Sequence, residues 1–271
     1  MAIPSSRDKL AGKRVAIIGG TSGIGFGTAR VLLDHGAHVT VISSQQAHVD
    51  DAIVRLGALH CRSEQACQTS SPSAVYSSRI KGHVGDLRDE SVFTALLLAL
   101  APLDHIIFTS VDKIIRGPLA KAELANSQHL FGVKFWGSVL VAKAVAAHDI
   151  VSPGGSLTLT SGVAGLRPSK NAAIGAALNG GILSLTQGLA VELADKRIRV
   201  NTVVPGLCRT ELWDKQGHSR EAQEEVWAKG AKELSVGFVG SPEDVAEAYL
   251  FFARADYANG TMVIIDGGAH I

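Results

Sequence analysis

The sequence predicts an α/β fold, a doubly wound parallel sheet in a single domain, and three observations carry that expectation. Short β-branched runs alternate with amphipathic stretches of helix length, the pattern of parallel strands covered by helices on both faces. The first of these runs leads straight into a glycine-rich turn that opens a helix. Apolar residues make up 46% of the 271 positions and charged residues 19%, enough to fill one large core.

Arg14–Ile18 (RVAII) is too short for a helix and ends on glycine, so it is strand one. A helix follows over about 24–35, closed by Gly36 in the manner of a C-cap. Strand two is 38–42 (HVTVI), and a third strand ends near Asp86. Residues 104–109, 156–160, 199–204 and Met262–Ile265 supply strands four to seven. Between them lie helix-length amphipathic stretches at 91–100, 119–147, 172–195 and Pro242–Arg254. Seven strands in one run argue against a second domain. Residues 57–83 break the rhythm: they are Ser-rich, contain Cys61, Cys67 and Pro72, and read as a long surface insertion, with a lid or partner contact as the other reading.

Lys and Arg number 26 against 25 Asp and Glu, a net charge of +1. That balance offers no basic footprint for nucleic acid and none for an anionic membrane surface. Three cysteines are too few and too odd for a disulfide framework, which points to a reducing, cytoplasmic setting. The first residues, MAIPSSRDKL, lack the apolar core of a secretory signal. The longest apolar stretch, around 95–103, is far short of the ~20 residues that span a bilayer. No HExxH or Cys/His spacing suggests a metal, so none is expected.

Gly19-Gly20-Thr21-Ser22-Gly23-Ile24-Gly25 lies between the first strand and helix. Glycines there permit the tight turn and let the backbone approach a pyrophosphate, which the free N–H groups of the helix start then bind. The spacing is GxxxGxG rather than GxGxxG. With Val84-Gly85-Asp86-Leu87, Ile198-Arg199-Val200-Asn201, Pro205-Gly206, Thr210, Ser241-Pro242-Glu243-Asp244-Val245-Ala246 and Ile265-Asp266-Gly267-Gly268, the chain resembles the short-chain dehydrogenase/reductase (SDR) family over nearly its whole length. The resemblance implies a Rossmann fold with strand order 3-2-1-4-5-6-7. It implies a dinucleotide held by Gly19, Thr21, Ser22, Gly23, Ile24 and Gly25, by Asp86 and Leu87 at the adenine, by Thr109, and by Pro205, Gly206, Leu207 and Thr210 near the nicotinamide and phosphates. It also implies a homodimer or homotetramer built on 119–147 and 172–195. Strand two ends Val41-Ile42-Ser43-Ser44-Gln45-Gln46, with no acid to repel a 2′-phosphate, so Ser43 and Ser44 favour NADP(H) over NAD(H).

The catalytic pattern departs from the family's. Ser161, in Thr160-Ser161-Gly162, matches the family serine, but the Tyr and Lys positions read Ile174 and Leu178. None of Tyr76, Tyr249 and Tyr257 has a Lys four residues on. The stretch after strand four reads Phe108-Thr109-Ser110-Val111, and the relay Asn of the next helix reads Lys134. The acid that serves ketone and alcohol chemistry is therefore missing. Ser161, Lys134 and Asp112 are the candidate catalytic residues: Ser161 as a hydrogen-bonding group, Lys134 as acid or electrostatic clamp, Asp112 as partner of Lys134 or of a cationic substrate. Each has a bland reading as well: a relic, a solvated lysine and a loop cap. Lys170 is a weaker candidate. Trp213 and Trp227 fall in 212–234, which covers the substrate in the family and suits a flat apolar ligand, although core packing explains them equally.

These departures, with Arg167-Pro168 and Thr210-Glu211-Leu212-Trp213, resemble an SDR subgroup common in fungal secondary metabolism. That subgroup includes NADPH-dependent reductase/Diels–Alderase enzymes of prenylated indole alkaloid pathways. Two readings follow. One is an NADP(H)-dependent enzyme acting on a small molecule, reducing an iminium or conjugated intermediate or guiding a cyclisation. The other is an inactive relative that binds a nucleotide or a partner.

Overall fold

The computed structural model describes residues 9–63, 78–112, 117–217 and 219–271. Seven parallel strands form one sheet: β1 (Arg14–Ile18), β2 (His38–Ser43), β3 (Ile80–Val84), β4 (Leu103–Phe108), β5 (Val151–Thr160), β6 (Arg199–Pro205) and β7 (Met262–Ile265), in the order β3-β2-β1-β4-β5-β6-β7. Alternation along β1 divides the core. Val15 and Ile17 pack under α1 (Gly23–Asp34), α2 (Gln46–Ser63) and α8 (Pro242–Arg254), while Ala16 and Ile18 belong to the opposite face. That second face is covered by α3 (Glu90–Leu100), α5 (Gly137–Ala147) and α6 (Ala173–Glu192). Ser241 and Asp244 close a capping box on α8 with Pro242 in its first turn, which fixes where the helix starts.

Two helices were not expected. In α2 the apolar residues Val49, Ala52 and Leu56 fall at helical spacing and are fully buried, but apolar residues off that stripe, such as the exposed Val54, and Gly57 mask the pattern. Gly57 faces open space, so the helix runs through it. The second, α7 (Arg220–Glu233), is half charged and buries only Gln223 and Trp227; Ser219 caps it by accepting from the Ala222 N–H at 3.3 Å. The supposed insertion at 57–83 is correspondingly shorter: 57–63 finish α2, Ile80 opens β3, and 64–77 lie outside the described residues.

The expected helix over 119–147 is composite. A 3₁₀ turn at Leu119–Lys121 precedes α4 (Leu124–Phe131), a π turn over Gly132–Trp136, and α5. Averaged over a window rather than read as an uninterrupted run, Leu124–Ala147 and Ala173–Glu192 are long and apolar enough to cross a membrane. Both pack one side on the sheet, with 44% and 22% of their apolar windows buried.

Candidate active site

A cavity of about 640 Å³ runs along the carboxyl ends of β1, β2 and β4 and the residues that follow β3. This is where ligands sit in open parallel sheets, because the chain diverges there to opposite faces. Gly19, Thr21, Ser22, Gly23, Ile24 and Gly25 all line it. Gly19 has φ +84°, and a Cβ on it would lie 2.8 Å from the Ser110 backbone. A Cβ on Gly25 would stand 2.2 Å from the Gly19 carbonyl oxygen and 2.5 Å from Thr109 Oγ1. The turn therefore closes only with glycine at these positions. Thr109 locks it to β4: its hydroxyl donates to the Ile18 and Gly19 carbonyls at 3.0 and 3.2 Å. Ser22 makes no side-chain cap, so the first turn of α1 keeps N–H groups for an anion. Of these, Gly23 N–H donates to Glu211 Oε2 at 2.8 Å.

Ser43, Ser44, Asp86 and Leu87 line the cavity, joined by Gln45, His48 and Arg88. Arg88 grips Asp86 through its side chain at 2.9–3.0 Å, and this bond holds the carboxyl below its ordinary pKa. Sequence reading missed His48 because it lies on α2. A helix starting at Gln46 carries residue 48 back beside Ser43–Ser44, and among the described residues His48 has no hydrogen-bond or charge partner.

Asp112, His129, Val133, Thr210, Leu212 and Lys215 also line the cavity. Asp112 pairs with His129 of α4, not with Lys134. The π turn widens the helix at Lys134 and sends its ammonium into the wall. There Nζ donates to the Ser161 carbonyl and to Asn179 Oδ1, both at 2.8 Å. Burial lowers the Lys134 pKa to about 8. Ser161 is 2% exposed, and its hydroxyl donates to the Asn179 carbonyl at 2.8 Å instead of facing the cavity. Asn179, which sequence reading passed over, is thus the centre of this cluster; its Nδ2 donates to the Gly175 carbonyl at 2.7 Å.

Pro205, Gly206 and Leu207 do not line the cavity. Gly206 is pressed against β7's end, where a Cβ would be 2.5 Å from Asp266, and Leu207 packs over Gly230 of α7. Ile174 is half-buried at the head of α6 and Leu178 is 1% exposed, so apolar packing fills both relay positions. No other tyrosine among the described residues takes over. Tyr249 is buried with its hydroxyl 2.7 Å from Thr160 Oγ1, burial pushes its pKa up, and Tyr257 is fully exposed. Trp213 donates to the Cys208 carbonyl at 3.0 Å, and Trp227 is buried with Arg209 4.9 Å over its ring, so neither forms the cavity's lining. Burial raises the Cys208 thiol to about 12, which keeps it unreactive. Lys170 is exposed. Among the described residues no group of three or more His, Cys, Asp or Glu side chains is placed to hold a metal.

The family model of the SDR-like Rossmann domain matches residues 6–271. The short-chain dehydrogenase/reductase ucsE of Acremonium sp is 34% identical over 272 residues, covering 97% of either chain. The short-chain dehydrogenase/reductase malC of Malbranchea aurantiaca is 33% identical over 266 residues, covering 97% of this chain and 96% of the relative. Among solved structures, MalC reductase/Diels–Alderase from Malbranchea aurantiaca superposes with a TM-score of 0.82 at 31% identity, over 97% of this chain and 98% of that one. A small-chain dehydrogenase in complex with NADPH superposes with a TM-score of 0.73 at 29% identity, over 96% and 99%.

Proposed function

The chain belongs to the short-chain dehydrogenase/reductase family, and from that premise we propose an NADP(H)-dependent oxidoreductase of natural-product metabolism that reduces an iminium or conjugated intermediate. Guiding a cyclisation of the Diels–Alder type is the second half of the proposal, supported by the likeness to MalC reductase/Diels–Alderase. The observation that carries the reading is the lining of the cavity: among the described residues it holds two carboxylates, Asp86 and Asp112, and no phenol.

The residues present fit the cofactor. The turn over 19–25 is the backbone cradle for its pyrophosphate, since any side chain at Gly19 or Gly25 would fill or break it. Ser43, Ser44 and His48 would take the 2′-phosphate, with Asp86 and Leu87 at the adenine and Thr109 and Thr210 nearer the nicotinamide. When bound, NADPH supplies a hydride. An iminium carbon is already electrophilic and needs no proton from the protein to accept it, so Ile174 and Leu178 are compatible with this chemistry and incompatible with the family's ketone chemistry. Asp112, held by His129, faces the positive charge of such a substrate. Lys134 and Ser161 act from behind as positioning residues: with Asn179 they brace the loop after β5 against α6. We assign this work to one domain in the cytoplasm. The incompletely covered α4–α5 and α6 surfaces, with Leu124, Trp136 and Val191 well exposed, would form the interface of a homodimer or homotetramer.

The test presents NADPH and purified protein with a panel of cyclic iminium ions and plain ketones. The expected result is iminium reduction without ketone turnover, with Asp112→Asn lowering kcat/KM by about tenfold or more while NADPH still binds. Activity should fall as pH rises through about 8, where Lys134 loses its proton and its two charge-assisted bonds weaken, and Lys134→Met should lose that limb of the profile. Ketone turnover near the enzyme median of ~10 s⁻¹ overturns the proposal.

A further inference from the structure

The anion-binding turn of α1 already holds an anion, and it comes from the chain itself. Gly23 N–H, in the first turn, donates to Glu211 Oε2 at 2.8 Å across 188 residues of sequence. The other carboxylate oxygen, Oε1, lies 3.4 Å from Arg55 Nη2 on α2. Arg55 is itself anchored, with its guanidinium 4.2 Å over the Phe26 ring of α1 and 3.2 Å from Asp51. Thr210, next to Glu211, sits directly on the turn: a Cβ on Gly23 would be 3.2 Å from its Cβ. Glu211 and Arg55 side chains are 43% and 41% exposed, so the pair contributes little and exchanges readily with water or with a better anion.

A dinucleotide carries its pyrophosphate to the N–H groups of this turn. A carboxylate there competes with it for a donor and repels it. We propose that Glu211 is a positioning residue that yields to the cofactor. In the free protein it takes the Gly23 N–H and pins the segment bearing Thr210, Leu212 and Lys215 onto the turn. An incoming phosphate displaces the carboxylate onto Arg55, and the segment re-seats around the ligand. Cofactor arrival is thereby coupled to the wall of the cavity that meets the substrate. The inference rests on the assignment of the turn over 19–25 to the pyrophosphate.

Titration calorimetry with inorganic pyrophosphate and with NADP⁺, on the wild type, Glu211→Gln and Glu211→Ala, tests it. Removing the competitor should tighten pyrophosphate binding by about tenfold in Glu211→Ala, the scale of one charge-assisted hydrogen bond. Glu211→Gln should fall between, and NADP⁺ should follow in the same direction. A purely structural cap would do the opposite, since losing it weakens the turn and its affinity. If the wild type binds NADP⁺ and neither variant gains affinity for either ligand, the proposal is overturned while the proposed function stands. If the variants gain affinity for pyrophosphate but no form binds NADP⁺, the competition at Gly23 is supported and the cofactor assignment fails instead.

Discussion

At the α1 end of the site the backbone carries the work; at the α6 end, behind the cavity wall, the side chains do. The glycine turn, the Thr109 lock and the first-turn N–H groups form a surface that depends on where main chain can approach main chain. At α6 the polar groups face one another: Lys134, Ser161 and Asn179 satisfy themselves inside the wall, and Ile174 and Leu178 fill the relay positions. A backbone cradle tolerates almost no substitution at its glycines, whereas a proton relay resides in two side chains that can be exchanged for apolar ones without disturbing the helix. Binding and chemistry are therefore separable on this fold, and activity has to be argued from the site.

The comparison breaks most visibly at Gly25. In Gly25→Ala the new Cβ meets the Gly19 carbonyl oxygen at 2.2 Å, a backbone atom with nowhere to go. NADP⁺ affinity should drop by about 100-fold or more by calorimetry, together with a loss of about 1–3 kcal/mol in chemical denaturation. The α6 end should resist repair. In the double variant Ile174→Tyr/Leu178→Lys, the lysine enters a position that is 1% exposed, beside an asparagine already bonded to Lys134. Denaturation should show a loss of about 3 kcal/mol from the unpaired buried charge, and NADPH oxidation with plain ketones should stay at background. Gained ketone turnover would mean that the two ends are less separate than the geometry indicates. The smallest effect belongs to His48→Ala: NADP⁺ should bind ~3–10-fold more weakly and NAD⁺ unchanged, as for one partly solvated charge contact. Equal losses for both nucleotides would remove His48 from the 2′-phosphate.

Much of the architecture was legible because it is written locally. Strands β1, β2, β6 and β7 are short runs rich in β-branched residues, and the order 3-2-1-4-5-6-7 followed from the family resemblance. The glycine turn was legible for the same reason: its requirement falls on seven consecutive residues. Helices α2 and α7 were not, since each buries only a narrow stripe and the rest of its surface does not alternate with it at helical spacing. Missing α2 concealed His48 and Arg55, both of which depend on its helical phase to reach their neighbours.

The sequence by itself determined the parallel sheet, the glycine-rich turn at its first strand and the absence of a Tyr-x-x-x-Lys motif, because strand propensity, glycine conformation and residue identity are properties of short segments. The tertiary structure decided how the polar groups are used. Asp112 meets His129 across 17 residues, Lys134 meets Asn179 across 45, and Glu211 meets Gly23 across 188. Such pairings are set by which loops converge at the carboxyl edge of the sheet and by how a π turn rotates one lysine into the wall. Competition among several acceptors for each buried or half-buried donor is settled only when all of them are held in place together.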